Sequence, residues 1–296
     1  MSGYDAHKAF FAPAVASAAI WKLLVGFLVA SAVYLLLNNL FFSTLFNILG
    51  PEYGSFYEDL LTGKTPMAMF LLLGSFGLMI VGIAVVTRLI HRRPVSGLIG
   101  PVNLAVPQFI AVVRILVIIG AVTFLLPPWN FGTPFVSNMP LGQWVVLLPF
   151  SLVFVLVQVS AEEIVFRGYV QQQLAARFKS PLIWMVLPSS LFALGHYLPD
   201  QAGENAIVIA LWAGVFGMLM ADLTARAGSL GPAIAVHFCN NVTAILIASM
   251  PDDLSGLALY LVPFSMEDTE ALRAWLPVDF GIMFVSWLAA RLAIRR

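Results

Sequence analysis

Two adjacent carboxylates and an arginine lie in the run SAEEIVFRG at 160–168, which continues a long apolar segment. Charged side chains at membrane depth are unfavourable and are therefore read as functional by default. Glu163 and Arg167 are four residues apart and share a helix face, so we expect Arg167 to neutralise Glu163. Glu162 points about 100° away and has no such local partner. Glu162 is therefore the better candidate for a general base.

Two histidines and an asparagine lie in later apolar segments. His237 and Asn241 are four residues apart and project from one helix face, where an imidazole and an amide can bind a metal or donate hydrogen bonds to a developing oxyanion. His196 and Glu162 are equally distant from position 179, so a helical hairpin turning there would bring them to the same depth, facing one another. A structural ion pair and satisfied core histidines are the competing interpretation of these groups.

The composition predicts the environment of the chain. Its 296 residues are 60% hydrophobic and 10% charged, with a mean hydropathy of +0.94. These values lie outside the range of soluble domains and indicate a polytopic membrane protein. The formal net charge is zero and the basic residues are scattered, so no nucleic-acid partner is indicated. The single cysteine, Cys239, excludes an internal disulfide and a cysteine-based zinc cluster.

Eight apolar stretches approach the length needed to cross a bilayer, which predicts an all-α polytopic transmembrane bundle of about eight spans. They cover residues 20–42, 67–90, 106–126, 144–178, 181–198, 206–223, 229–250 and 277–294. Basic and non-basic connections alternate, which predicts that both termini are cytoplasmic. The fourth stretch would reach roughly 50 Å at the helical rise per residue. Its end, around the glutamines 171–173, is therefore predicted to be a cytoplasmic extension, and Ser180-Pro181 to break the helix.

Several other residues have structural interpretations. His7 and His91 lie in basic segments outside the spans, and we expect both to be solvated. Gly168, Gly195, Gly214 and Gly217 lack a side chain at positions where neighbouring helices can then approach closely.

Three motifs occur in a fixed order: Glu-Glu-x-x-x-Arg-Gly at 162–168, Phe-x-x-x-His at 192–196 and His-x-x-x-Asn at 237–241. Together they resemble the CAAX protease and bacteriocin-processing (CPBP/Abi) family of intramembrane endopeptidases, whose best-known branch is the CAAX prenyl protease 2 type. The resemblance predicts three parts. Residues 1–142 form about three N-terminal spans without a motif, residues 143–250 form the catalytic helical core, and residues 251–296 form an extramembrane loop and a final span.

The resemblance implies an endopeptidase that hydrolyses peptide bonds of membrane-associated, CAAX-like or other peptide substrates within the bilayer. Its implied catalytic residues are Glu162, Glu163, Arg167, His196, His237 and Asn241. Glu162 and His196 would activate the water, while His237 and Asn241 would bind a metal or stabilise the tetrahedral oxyanion. The remaining two residues would hold the helix and its charge in place. Phe192 is expected to be a packing residue.

The sequence leaves two alternatives for the cofactor, a zinc ion or none. Glu162, His196 and His237 would form a three-ligand Zn²⁺ site with a water in the open position, whereas a glutamate-activated water needs no metal. The expected partners are the lipid bilayer and a peptide or lipidated protein substrate, and the expected location is a bacterial or archaeal cell membrane. The alternatives are a transporter or ion or proton pathway, which also uses buried charge, and a catalytically inactive immunity-type membrane protein.

Overall fold

The structure is a computed structural model that describes residues 3–126, 134–251 and 253–295. These residues form thirteen α-helices: α1 Asp5–Phe11, α2 Ile20–Leu49, α3 Tyr53–Thr62, α4 Pro66–Ser75, α5 Gly77–Leu89, α6 Val102–Leu125, α7 Leu141–Glu163, α8 Gln172–Arg177, α9 Pro181–Gly195, α10 Pro199–Ala202, α11 Ala206–Ala227, α12 Gly231–Asn241 and α13 Thr269–Ala293. Short 3₁₀ turns lie at Ala12–Ser17, Gly50–Glu52, Val95–Leu98 and Gly203–Asn205.

Two stretches of the chain are π-helical rather than α-helical. The first π segment, Ile164–Gln171, joins α7 to α8 without a break, and the second π segment, Val242–Ile247, extends α12. Three two-residue strands, β1 Val136–Ser137, β2 Ala248–Ser249 and β3 Tyr260–Leu261, form a small sheet in the order β1-β3-β2. The sheet connects the residues before α7 to the end of the second π segment.

The all-α fold predicted from composition is confirmed. Within the described ranges, six helices are long and apolar enough to cross a membrane. Two shorter apolar helices, Pro181–Gly195 and Gly231–Ile247, correspond to the fifth and seventh predicted stretches. Each of the eight stretches is largely helical. The exact number of spans, the side of the termini and the three-part division of the chain stay predictions.

The helices begin and end where local chemistry favours it. Proline is the first residue of α4 and of α9, where its missing N–H needs no partner, and the break predicted at Ser180-Pro181 is confirmed. Thr65 caps α4 by accepting a hydrogen bond from the backbone N–H of Ala68. Gly228 ends α11 with a φ of +71°, a left-handed conformation that glycine adopts without strain. The resulting turn leads directly into α12.

Close helix packing sets the positions of α9 and α11. A Cβ built on Gly217 of α11 would lie 3.0 Å from the Ser189 Cβ of α9, so the predicted close contact at Gly217 is confirmed. A Cβ on Gly168 would lie 2.7 Å from the Leu98 carbonyl oxygen, which confirms the close approach there as well. The prediction for Gly195 is wrong, because among the described residues no atom of a neighbouring helix lies within 4 Å of its Cβ position. This residue ends α9 instead of packing against a helix.

The segment from α1 to the turn at Ala12–Ser17 packs over α8 and α11, and the burial of polar groups in this region overturns one prediction. His7 and His91 are 2% and 5% exposed rather than solvated. The glutamines 171–173 are buried as well, and their predicted position in a cytoplasmic extension stays a prediction. The physical reason for the burial is that these polar groups find partners inside the protein: Gln173 Nε2 lies 3.0 Å from His91 Nδ1, and Gln172 Nε2 donates to the Phe10 and Gly97 carbonyls at 2.8 and 2.9 Å. Burial lowers the pKa of His7 to about 4.

Candidate active site

The predicted site residues come from four neighbouring helical elements. Glu162 and Glu163 are the last two residues of α7, and Arg167 lies in the first π segment. His196 is the first residue after α9, so its backbone is no longer helical. His237 and Asn241 lie on α12, whose last residue is Asn241. Because α12 packs against α7, the carboxylates and His237 meet inside the bundle.

Glu163 is fully buried and accepts two hydrogen bonds on one oxygen. Arg167 Nη1 donates to Glu163 Oε1 at 3.1 Å, which confirms the predicted pairing. His237 Nδ1 lies 2.8 Å from the same oxygen, and because a carboxylate only accepts, Nδ1 carries the proton. Glu163 therefore fixes the orientation and the tautomer of the His237 ring.

Arg167 is itself buried, at 1% exposed, and uses more than its ion pair. Its Nη2 donates to the Gly217 carbonyl at 3.1 Å, which the bare Cα of Gly217 lets it approach. The guanidinium carbon also lies 4.9 Å from the centre of the Phe192 ring. A cation over an aromatic face is stabilised by the ring quadrupole. Phe192 packs as expected, being 2% exposed, and in addition faces this charge.

Glu162 approaches His237 rather than standing without a partner. His237 Nε2 and Glu162 Oε2 are 3.4 Å apart, within ion-pair distance but without hydrogen-bond geometry. The imidazole thus lies between two carboxylates, with Nδ1 toward Glu163 and Nε2 toward Glu162. The sequence placed His237 on a later apolar span but not between the glutamates. The reason is that the pairing of α7 with α12 is a tertiary contact that spacing along the chain does not determine.

His196 joins the site through Phe192. Its Nδ1 lies 2.9 Å from the Phe192 carbonyl, which accepts, so Nδ1 carries the proton and Nε2 is left as the basic nitrogen. The centre of the Phe192 ring lies 4.4 Å from the centre of the His196 ring and 6.0 Å from the centre of the His237 ring. Phe192 therefore contacts both histidine rings. The predicted direct approach of His196 to Glu162 stays a prediction.

Asn241 is held at both ends of its amide. Its Nδ2 donates to Gln158 Oε1 at 2.8 Å, and its Oδ1 accepts from Asn240 Nδ2 at 3.1 Å. Gln158 is a residue that the sequence analysis missed. The available signal was an amide in an otherwise apolar span, four residues before Glu162 and hence on the same face of α7.

Both π segments adjoin site residues. The first begins directly after Glu163 and contains Arg167, and the second begins directly after Asn241. A π segment includes an extra residue per turn, and such segments occur frequently at functional sites. Both therefore begin where the helices carry the polar groups of the site.

A metal site would need three or more side chains close enough together to bind one ion. Within residues 3–126, 134–251 and 253–295, no group of three or more His, Cys, Asp or Glu side chains is arranged to hold a metal ion. The proposed ligand set Glu162, His196 and His237 does not form such a group in this arrangement. The zinc site stays a prediction.

Comparison with known proteins agrees with the motifs. Residues 143–243 match the model of a protein family described as type II CAAX prenyl endopeptidase, Rce1-like. The chain is 24% identical over 260 residues to the Bacillus subtilis (strain 168) protein "Uncharacterized protein YyaK", covering 84% of this chain and 85% of that protein. No solved structure matches the chain. The matched segment contains all six predicted site residues, and the predicted family resemblance is confirmed.

Proposed function

We propose that this integral, multi-pass membrane protein is an intramembrane protease that hydrolyses peptide bonds with a water activated by Glu162. The match of residues 143–243 to the Rce1-like type II CAAX prenyl endopeptidases supports the protease activity, and the assignment of residues and of the type of catalysis goes beyond that match. The observation that carries it is the buried imidazole of His237 between Glu162 and Glu163.

The charges of the site support this role. Arg167 compensates Glu163, so one carboxylate is neutralised and serves to hold His237. With the Nδ1 proton of His237 donated to Glu163, the contact between Nε2 and Glu162 is attractive only when one proton is present on either atom. In the proposed mechanism Glu162 and His237 hold one proton between them, in a setting that is mostly shielded from water. Such a pair can receive a proton from one reactant and return it to another.

Hydrolysis then follows from the proton positions. Glu162, assisted by the basic Nε2 of His196, removes a proton from water while the water oxygen bonds to the peptide carbonyl carbon. The oxyanion that forms accepts hydrogen bonds from Asn241 and from protonated His237, which are worth roughly 3–4 kcal/mol per donor in comparable hydrolases. The proton on Glu162 passes to the leaving nitrogen as the C–N bond breaks. The products are a carboxylic acid and an amine, which become a carboxylate and an ammonium group when the second water proton moves to the amine.

We propose membrane-associated or lipidated peptides as substrates, because Glu162, Glu163 and Arg167 lie inside the long apolar stretch Leu141–Arg177, which a membrane-associated chain can reach. A bacterial or archaeal cell membrane is the proposed location, supported by the similarity to a Bacillus subtilis protein. Two types of catalysis are compatible with this proposal, a glutamate-activated water and a metal-bound water.

The test is cleavage by purified protein in detergent and in liposomes, using a panel of membrane-proximal and prenylated peptides. Glu162→Gln preserves size but cannot accept the proton, so we expect kcat to fall by about 100-fold or more. Glu58→Gln is the matched control, because Glu58 is an exposed carboxylate on α3, and it should cleave at the wild-type rate. The proposal fails if both folded variants cleave the panel equally well. Metal content of the same active sample, before and after chelator dialysis, separates the two types of catalysis.

A further inference from the structure

Gln158 is a polar residue at membrane depth that the mechanism above does not use. It is 7% exposed, lies on α7 four residues before Glu162, and shares the face of that helix. A polar side chain inside a membrane bundle needs a hydrogen-bond partner. The partner of its Oε1 is the Asn241 amide, at 2.8 Å, across the contact between α7 and α12.

This contact decides which end of the Asn241 amide faces which neighbour. An amide group has two N–H donors and one carbonyl acceptor. One donor is given to Gln158 and the carbonyl accepts from Asn240, so a single N–H is left over. If the amide turned over, its oxygen would oppose Gln158 Oε1, and two acceptors repel. Only the N–H end can stabilise an oxyanion, since the oxygen end would repel it.

We infer that Gln158 is a positioning residue that orients the Asn241 amide so that its free N–H is available to the oxyanion. This inference rests on the proposed hydrolysis, because Asn241 matters to catalysis only there. Gln158 acts through Asn241 and does not itself touch the reacting atoms. Its loss therefore lowers turnover and leaves substrate binding unchanged.

The experiment is a double-mutant cycle between the two residues, with kcat and KM measured on a peptide that the wild type cleaves. Gln158→Met keeps the side-chain length but removes the acceptor, and we expect kcat to fall by about 10- to 100-fold while KM changes by less than about twofold. In the Asn241→Ala background the same substitution should have no further effect on kcat, because there is no amide left to orient. Ser151→Ala is the matched control, since Ser151 is a buried polar residue of α7 that bonds only to its own helix, at the Leu147 carbonyl.

The inference is overturned if Gln158→Met matches Ser151→Ala in kcat, or if the effects of Gln158→Met and Asn241→Ala multiply. If Gln158→Met does not fold, Gln158→Glu and Gln158→Leu replace it. The carboxylate still accepts the Asn241 N–H, so kcat for Gln158→Glu should exceed that for Gln158→Leu by about tenfold, and equal values overturn the inference. If replacing Glu162 abolishes cleavage but replacing Gln158 does not change it, this inference is wrong and the proposed function stands. Cleavage that does not need Glu162 defeats the proposed function itself.

Discussion

Replacing Arg167 tests whether Glu163 is held as a buried charge. Arg167→Met removes the 3.1 Å bond to Glu163 and the 3.1 Å bond to the Gly217 carbonyl. Removing one partner of a buried ion pair costs about 3–5 kcal/mol, because the other charge is left without compensation. The orphaned carbonyl adds about 1–3 kcal/mol. Since these effects are not additive, we expect at least about 4 kcal/mol of lost stability, a large part of a typical folding free energy.

The chain provides a matched control with the same spacing. Arg226 and Asp222 are also four residues apart, with 2.8 Å between Nε and Oδ2, but the Arg226 side chain is 19% exposed. Asp222 keeps two other donors when Arg226 is removed, the Tyr4 hydroxyl at 2.7 Å and Trp287 Nε1 at 3.0 Å. Arg226→Met should therefore cost roughly 1–2 kcal/mol, less than Arg167→Met, because Asp222 keeps these two hydrogen bonds.

The measurement is equilibrium unfolding in mixed micelles with increasing SDS, followed by tryptophan fluorescence. Arg167→Met should unfold at a clearly lower SDS fraction than Arg226→Met. The double variant Glu163→Gln/Arg167→Met should recover part of the loss, because it removes both charges together. The reasoning is refuted if the two arginine variants are equally stable, or if the double variant is no better than Arg167→Met. Either result would mean that Glu163 does not carry a compensated charge in the folded protein.

Two further predictions concern pH and helix packing. Because burial lowers the pKa of His7 to about 4, below its ordinary 6.5, the unfolded chain binds the proton first, so stability is full above about pH 6.5 and falls as the pH drops toward 4, by up to roughly 3 kcal/mol. Thermal unfolding of the detergent-solubilised protein between pH 7 and 4 measures this, and His7→Phe should reduce the pH dependence. Gly217→Ala should cost about 1–3 kcal/mol and lower activity, because its Cβ would lie 3.0 Å from Ser189 Cβ and 3.2 Å from Arg167 Nη2.

Each of these two predictions has a direct counter-result. An unchanged pH dependence in His7→Phe would show that His7 is not the group responsible. For the glycine, Gly214→Ala is the control, since its nearest neighbour is the Ala193 Cβ at 3.4 Å, an ordinary contact. Equal unfolding transitions for Gly217→Ala and Gly214→Ala would contradict the proposed crowding between α9 and α11.

Sequence reasoning succeeded where helix geometry alone decides the contact. The pairing of Glu163 with Arg167 and the break at Ser180-Pro181 follow from spacing and backbone chemistry within one stretch of chain. The position of His237 between the carboxylates and the role of Gln158 did not follow, because each depends on how α12 lies against α7.

The prediction that the histidine near the start of the chain is solvated was wrong for a related reason. A basic, polar neighbourhood normally predicts solvation, and this rule placed His7 in water. In the folded protein the α1 segment covers the end of a distant helix, and the His7 ring lies 4.4 Å from the Trp184 ring. This burial comes from contacts between residues that are far apart in sequence, and the local composition does not predict such contacts.

The two π segments each hold one residue more than an α-helix needs for the same turn. If one residue were deleted from Ile164–Gln171, the stretch would tighten to an α-helix and α8 would keep nearly the same orientation relative to α7. The two carboxylates would stay in place, and Gln172 would still point at the Phe10 and Gly97 carbonyls, while Arg167 inside the segment would shift about the helix axis. A deletion within Val242–Ile247 would likewise spare His237 and the pairing of β2 with β3. A loss of one codon should therefore disturb the fold less at these two places than in the α-helices beside them, where it turns everything that follows by about 100°.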